Sequence, residues 1–267
     1  MTATIFKLIF IFVFMVFYCT AQPTQIVNSD SAAGSSSYVN WTIIGIAGAA
    51  TVTTVLFHYD QQIYNGLYRW KMNNKIVKNV SPVVTNLGDG AFSMGLFSGF
   101  TGYGLIFKDK KAVEVGKIGI ESFLLTGITV QIFKNLCGRE RPSAATRDGG
   151  FWHGPFSYLR EPKNGKGISS FDAFPSGHTT TVFAAATTIS DFYTEPWVSY
   201  TCYSLATITA ISRVTESTHW ISDCFVGAII GHYGTKLVEK LNYGSDGIVL
   251  LPQADGHQYG LLLSVKL

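Results

Sequence analysis

Residues 175–192, PSGHTTTVFAAATTISDF, decide how this chain is read. Pro175 fixes the entry to a helix, Ser176 is a suitable N-cap, and Gly177 lets another group approach the backbone closely. The apolar run from His178 to Phe192 follows at once. A helix start of this kind leaves unpaired N–H groups facing outward, and such groups hold anions. Five further apolar stretches have the same character: Trp41–Phe57, Leu87–Phe107, Val113–Leu136, Trp197–Arg213 and Trp220–Leu241. They are too long for ordinary strands, and the breaks between them carry Asp, Lys, Pro and Gly. The expected fold is all-α, a bundle of about six core helices.

Composition narrows the class. A chain of 267 residues buries one substantial core. Charged residues make up 14%, apolar residues 47%, and mean hydropathy is positive, which fits a membrane protein or a tightly packed helical one. The formal charge of +3 is spread along the chain, so no nucleic-acid partner is expected. Residues 1–21 read as a signal peptide: Lys7, an apolar run Leu8–Tyr18, then Cys19-Thr20-Ala21. An uncleaved anchor is the other reading, and export follows from either. Residues 22–38 read as a flexible leader, 39–241 as the main domain, and 242–267 as a C-terminal β-hairpin tail. Cys137, Cys202 and Cys224 read as buried small hydrophobes. The segment 143–174 is long, polar and rich in Gly and Pro, the mark of a functional loop over a pocket.

Three blocks carry chemistry. Lys134 precedes Arg141-Pro142 in KNLCGRERP, Pro175-Ser176-Gly177-His178 forms the second block, and Ser212-Arg213 leads to His219 and Asp223 in the third. A transferring phosphoryl group spreads charge over three oxygens and needs several fixed donors. Lys134, Arg141 and Arg213 supply cations, while the Ser176 hydroxyl and the Ser176 and Gly177 N–H groups supply further donors. His219 and Asp223 stand four apart, so on a helix the carboxylate accepts from one imidazole nitrogen and leaves the other as a nucleophile. His178 is placed to protonate the leaving group and then to activate water. Taken singly these residues are helix-end charges, a cap and an ordinary pair; embedded together in apolar segments they are not. Three cations repel a divalent metal, so neither metal nor cofactor is expected. In the long loop, Arg147, Trp152, His153 and Arg160 read as surface residues, with contact to a substrate's leaving group as the alternative; Glu216 reads as a helix-end charge and Asp89 as a cap, and His58, His232 and His257 receive no role.

In order and spacing the blocks resemble the signature of the PAP2 superfamily, which holds type 2 phosphatidic acid phosphatases, class A acid phosphatases and vanadium haloperoxidases. The resemblance covers residues from about 39 to 240. It implies a PAP2-type helical bundle and a metal-independent phosphatase acting on phosphate monoesters through a phosphohistidine on His219. The implied substrates are lipid phosphates, polyprenyl pyrophosphates or small phosphoesters. A vanadium haloperoxidase and a non-catalytic phospholipid-binding envelope protein are the alternatives. Membrane association and a place in the periplasm or cell envelope are expected. If every apolar stretch spanned the bilayer, Lys134 would face the cytoplasm, so an exported bundle with its site on the exported side fits better.

Overall fold

The structure, a computed structural model, describes residues 41–157 and 170–243, and the backbone of 248–254 and 259–265. The expected signal peptide and leader lie outside the described residues, as does Arg160. Seven α-helices are present among them: α1 Trp41–Asn73, α2 Lys75–Val84, α3 Gly90–Phe107, α4 Lys110–Cys137, α5 Gly177–Phe192, α6 Pro196–Thr215 and α7 Ile221–Tyr243. Strands β1 Ile248–Ala254 and β2 Tyr259–Val265 pair antiparallel, with Ile248 opposite Val265.

Local chemistry sets the helix ends. Asn74 caps α2 by accepting from Ile76 N at 3.0 Å and Val77 N at 3.2 Å. Asp89 caps α3 through Ala91 N, and Asp109 caps α4 through Lys111 N and Ala112 N. Gly138 closes α4 at φ +58°, a conformation that favours glycine. Two elements differ from expectation. Helix α1 runs on to Asn73 because Ile63 and Leu67 continue its buried stripe through polar company. Helix α2 was not expected at all, since its apolar residues Ile76, Val80 and Val83 face away from the core.

The core joins four helices: Leu56, Ile63 and Leu67 of α1, Val182, Phe183 and Ala186 of α5, Tyr203, Ala206 and Ala210 of α6, and Cys224, Phe225 and Ala228 of α7. Helix α5 packs against α4, α6 and α7. Its contact with α7 depends on glycine: a Cβ on Gly227 would lie 2.6 Å from the Ser176 carbonyl oxygen. Overpacking of that kind costs about 1–3 kcal/mol. The close approach seats the start of α7 directly on the start of α5. Of the cysteines, Cys224 is buried as expected, whereas Cys137 and Cys202 are half-buried. Among the described residues one helix, α4, is long and apolar enough to cross a membrane. Its Leu124, Ile128, Ile132 and Leu136 form an exposed apolar stripe at four-residue spacing.

Candidate active site

Four chain segments converge where α4 and α6 end and α5 begins. Lys134 sits in the last turn of α4, and the αL turn at Gly138 redirects the chain so that Arg141 follows within a few residues. The long loop returns to the same place at Asp172 and Ala173. Arg141 Nε donates to Asp172 Oδ1 at 2.7 Å and Lys134 Nζ donates to Asp172 Oδ2 at 3.4 Å. Holding Arg141 by Nε leaves both of its Nη atoms for another acceptor. Arg213, at the end of α6, is buried; its Nη1 donates to Thr85 Oγ1 at 2.7 Å, and its Nε is buried without a hydrogen-bond partner. Lys134 and Arg141 share the Asp172 carboxylate, and Arg213 is hydrogen-bonded to a neutral hydroxyl: three positive charges less one leaves a net of +2.

His219 lies in the loop before α7 and is buried. Its Nδ1 is 2.6 Å from the Ala173 carbonyl oxygen, which fixes the proton on Nδ1 and leaves Nε2 as a lone pair. This corrects the expected partner: Asp223 Oδ2 stands 3.8 Å away, and the carboxylate is turned elsewhere. Helix α7 begins only at Ile221, so the four-residue helical spacing does not apply to His219. Burial, and then the charges of Arg213, Lys134 and Arg141, hold the His219 imidazole well below the usual histidine range. His178, in the first turn of α5, is pushed down to about 4 by burial first and Arg213 next; Lys134 and Arg141 add to this and Asp89 opposes it. Both imidazoles thus feel the same three cations. Gly88 packs on His178 so tightly that a Cβ there would lie 2.6 Å from His178 Cβ.

The α5 start differs in detail from the sequence reading. The Ser176 hydroxyl is buried and taken up by the cap, accepting from Thr179 Oγ1 at 3.0 Å and Thr179 N at 3.4 Å. The Ser176 N–H donates to the Asp223 carbonyl oxygen at 3.0 Å, so it is not open to a ligand. Gly177 and His178 are the first residues of α5, where N–H groups have no intrahelical acceptor.

Behind the cup lies a buried ionic network with no counterpart in the motif reading. Arg139, inside the first block, donates from Nη1 to Asp223 Oδ1 and Ser222 Oγ, and from Nη2 to Asp60 Oδ2 at 2.6 Å and Gly149 O at 2.6 Å. Asp60 Oδ1 accepts from Ser222 N at 3.0 Å, and Asp223 Oδ2 from Trp220 N at 2.8 Å. The rings of Phe57, Trp152 and Trp220 surround the guanidinium within 5.0–5.4 Å. Asp223 thus anchors the loop that carries His219. Asp60 is the first acidic residue after the leader and the last before Asp89, a sequence signal that a lone carboxylate in an apolar helix provides.

The long loop is tied down by Glu140, which accepts from Thr146 N, Thr146 Oγ1, Phe151 N and the His153 ring. His153 and Trp152 are therefore not free surface groups: Trp152 packs edge-on against Phe57 and Phe174. Arg147 lies over Phe151. Glu216 pairs with Lys71 at 2.8 Å, and His232 is buried against Thr187 Oγ1 and Tyr203. Among the described residues no three His, Cys, Asp or Glu side chains are arranged to hold a metal ion.

The PAP2 superfamily model matches residues 118–243. A lipid A 1-phosphatase of Porphyromonas gingivalis is 36% identical over 40% of this chain, a segment that spans 23% of that protein's length. A lipid A 1-phosphatase of Rhizobium etli is 27% identical over 67% of this chain and 77% of its own. The crystal structure of a transmembrane PAP2-type phosphatidylglycerolphosphate phosphatase from Bacillus subtilis has the same fold, with a TM-score of 0.52 at 19% identity, over 76% of this chain and 93% of that one.

Proposed function

From the match of the PAP2 superfamily model to residues 118–243, we propose that the chain is a PAP2-type, metal-independent phosphatase that hydrolyses a phosphate monoester on a membrane lipid. The names of its relatives make lipid A bearing a 1-phosphate the first substrate to test. One observation carries the reading. Arg213 is buried, its Nε has no acceptor, and Arg213, Lys134 and Arg141 together hold a net charge of +2 (three cations less Asp172). A buried cation without a counter-charge is costly, and a phosphate monoester carrying about −1.5 to −2 balances it.

The chemistry follows from where the protons are. The Ala173 carbonyl keeps His219 Nδ1 protonated, so Nε2 attacks phosphorus and the bond from phosphorus to the leaving oxygen breaks. The guanidinium groups of Arg141 and Arg213, the Lys134 ammonium and the Gly177 and His178 N–H groups take the three phosphoryl oxygens. Its pKa of about 4 keeps His178 neutral near pH 7. A bound phosphate brings negative charge beside it, raises its proton affinity and makes it the acid that protonates the leaving alkoxide. It then takes a proton from the water that cleaves the phosphohistidine, releasing phosphate and restoring His219. The site lies on the exported side of the envelope, where the signal-like residues 1–21 deliver it.

The test is phosphate release from vesicles or micelles carrying lipid A 1-phosphate, phosphatidate or a polyprenyl pyrophosphate, beside soluble p-nitrophenyl phosphate. Turnover should survive EDTA and be inhibited by vanadate. His219→Ala should lose about three orders of magnitude or more, as nucleophile deletions do. Full activity in that variant refutes the mechanism.

A further inference from the structure

The segment from the end of α1 through α2 has a surface that the phosphate cup does not use. Between Asp60 and Asp89 the chain carries Arg69, Lys71, Lys75 and Lys78 and no acidic residue. Ile76, Val80 and Val83 are 73%, 46% and 67% exposed. At about 100° per residue these three fall on one narrow face of α2. The same geometry puts Ser81, Val77 and Val84 on a second face, and Lys75 and Lys78 on a third. Ser81 is buried, its hydroxyl 2.6 Å from Thr215 Oγ1, so the second face is the one against the protein. Trp70, Tyr68 and Met72, in the last turns of α1, are exposed beside it. Lys71 is paired with Glu216, whereas Lys75 and Lys78 are exposed and have no carboxylate partner among the described residues.

We propose that α2 and the end of α1 lie in the interface of an anionic bilayer. Ile76, Val80 and Val83 enter the acyl boundary, Trp70 and Tyr68 sit at headgroup level, and Lys75 and Lys78 meet lipid phosphates. Charge selects this occupant over a second copy of the chain. A two-fold contact across the face would bring the same lysines together, whereas an anionic surface attracts each by about 1 kcal/mol, or about five-fold in binding. The position of the helix gives the docking a consequence. Thr85, the residue after α2, accepts from Arg213, and Gly88 three residues later is packed on His178. A docked α2 therefore holds two walls of the cup against the surface in which a lipid phosphate resides. The effect on turnover rests on the phosphatase reading; the docking itself does not.

The two are separated by two measurements on the full chain in phosphatidylcholine vesicles with 0 or about 30 mol% phosphatidylglycerol. In the first, Cys19, Cys137 and Cys202 are replaced by Ser, and a bimane label is placed at Val80→Cys or Lys78→Cys. Bromine-labelled acyl chains should quench the label at position 80 at least about two-fold more than the one at 78. The difference should shrink without phosphatidylglycerol or with Lys75→Glu. Equal quenching at both positions, or no response to the anionic lipid, overturns the proposal. Self-quenching of the position-80 label in detergent, which reports a second copy on this face, also overturns it. In the second, Lys75→Glu/Lys78→Glu and Ile76→Asp/Val80→Asp should each lower turnover of the vesicle-borne substrate about ten-fold or more and leave p-nitrophenyl phosphate turnover within about two-fold. Parallel losses on both substrates overturn the coupling, because they reduce α2 to a structural support. Depth-dependent quenching with no phosphate release from any substrate leaves the docking standing and removes the phosphatase reading.

Discussion

The buried network behind the cup gives the sharpest quantitative test. Arg139 is 1% exposed and, among the described residues, is the only guanidinium hydrogen-bonded to Asp60 and Asp223, both 0% exposed. Arg139→Met fills similar volume but leaves two carboxylates in the interior without a cation. Breaking a buried pair from one side costs about 3–5 kcal/mol. Each kcal/mol lowers the melting temperature by about 2–4 °C in a chain of this size. The expected fall is therefore about 6–20 °C, read by far-ultraviolet circular dichroism in detergent. Asp60→Asn should be much milder, about 1–2 kcal/mol, since Arg139 and Asp223 then form a one-to-one pair and the loss is limited to reoriented hydrogen bonds. The double variant Arg139→Met/Asp60→Asn should recover part of the loss, because only Asp223 is left unpaired. A melting temperature for Arg139→Met within about 2 °C of wild type would refute the reasoning. So would an Asp60→Asn variant as damaged as Arg139→Met.

Further outcomes follow from the cup itself. Gly88→Ala places a Cβ against His178 Cβ, O and Cα at 2.6–3.0 Å; the backbone of α5 must shift, so kcat should fall about ten-fold or more while the circular dichroism spectrum is kept. Arg213→Lys keeps the charge but loses the fork that lets one guanidinium hold Thr85 and still face a second acceptor, so on the proposed mechanism vanadate inhibition should weaken by about ten-fold or more, measured as a shift in inhibition constant. Because the folded His178 pKa is about 4, below the unfolded value near 6.5, the unfolded chain binds the extra proton between those values. The stability it contributes is complete above about pH 6.5 and is lost as pH falls toward 4. His178→Gln should accordingly flatten the acid side of the melting-temperature profile relative to wild type, and an unchanged acid slope counts against a depressed His178.

Much of the chemistry was legible because it is local. Each block is short, so residue type and the Pro-Ser-Gly helix start were enough to expect Lys134, Arg141, His178, Arg213 and His219 near one another, and the structure places the three cations close enough to act on both imidazoles. The capping residue Asp89 and the apolar runs of α3 to α7 are equally local signals, whereas the Asp109 cap was not anticipated. Helix α2 escaped because its apolar face points outward, against the rule that a stripe marks the core side.

What tertiary packing alone decided is which atoms meet. Residues 219 and 223 stand at helical spacing, yet α7 starts at Ile221, so the histidine hangs in a loop and turns Nδ1 to the carbonyl of Ala173. Asp223 is drawn instead to Arg139 and, through Ser222, to Asp60 more than 160 positions earlier. Asp172, Ala173 and Thr85 carry no motif, and they join the site only because a returning loop and a helix end arrive beside it. Residue type and spacing determine what a short segment offers; a buried hydrogen-bond donor takes the acceptor that the packed chain brings within about 3 Å, and that choice is made across sequence distances no local pattern spans.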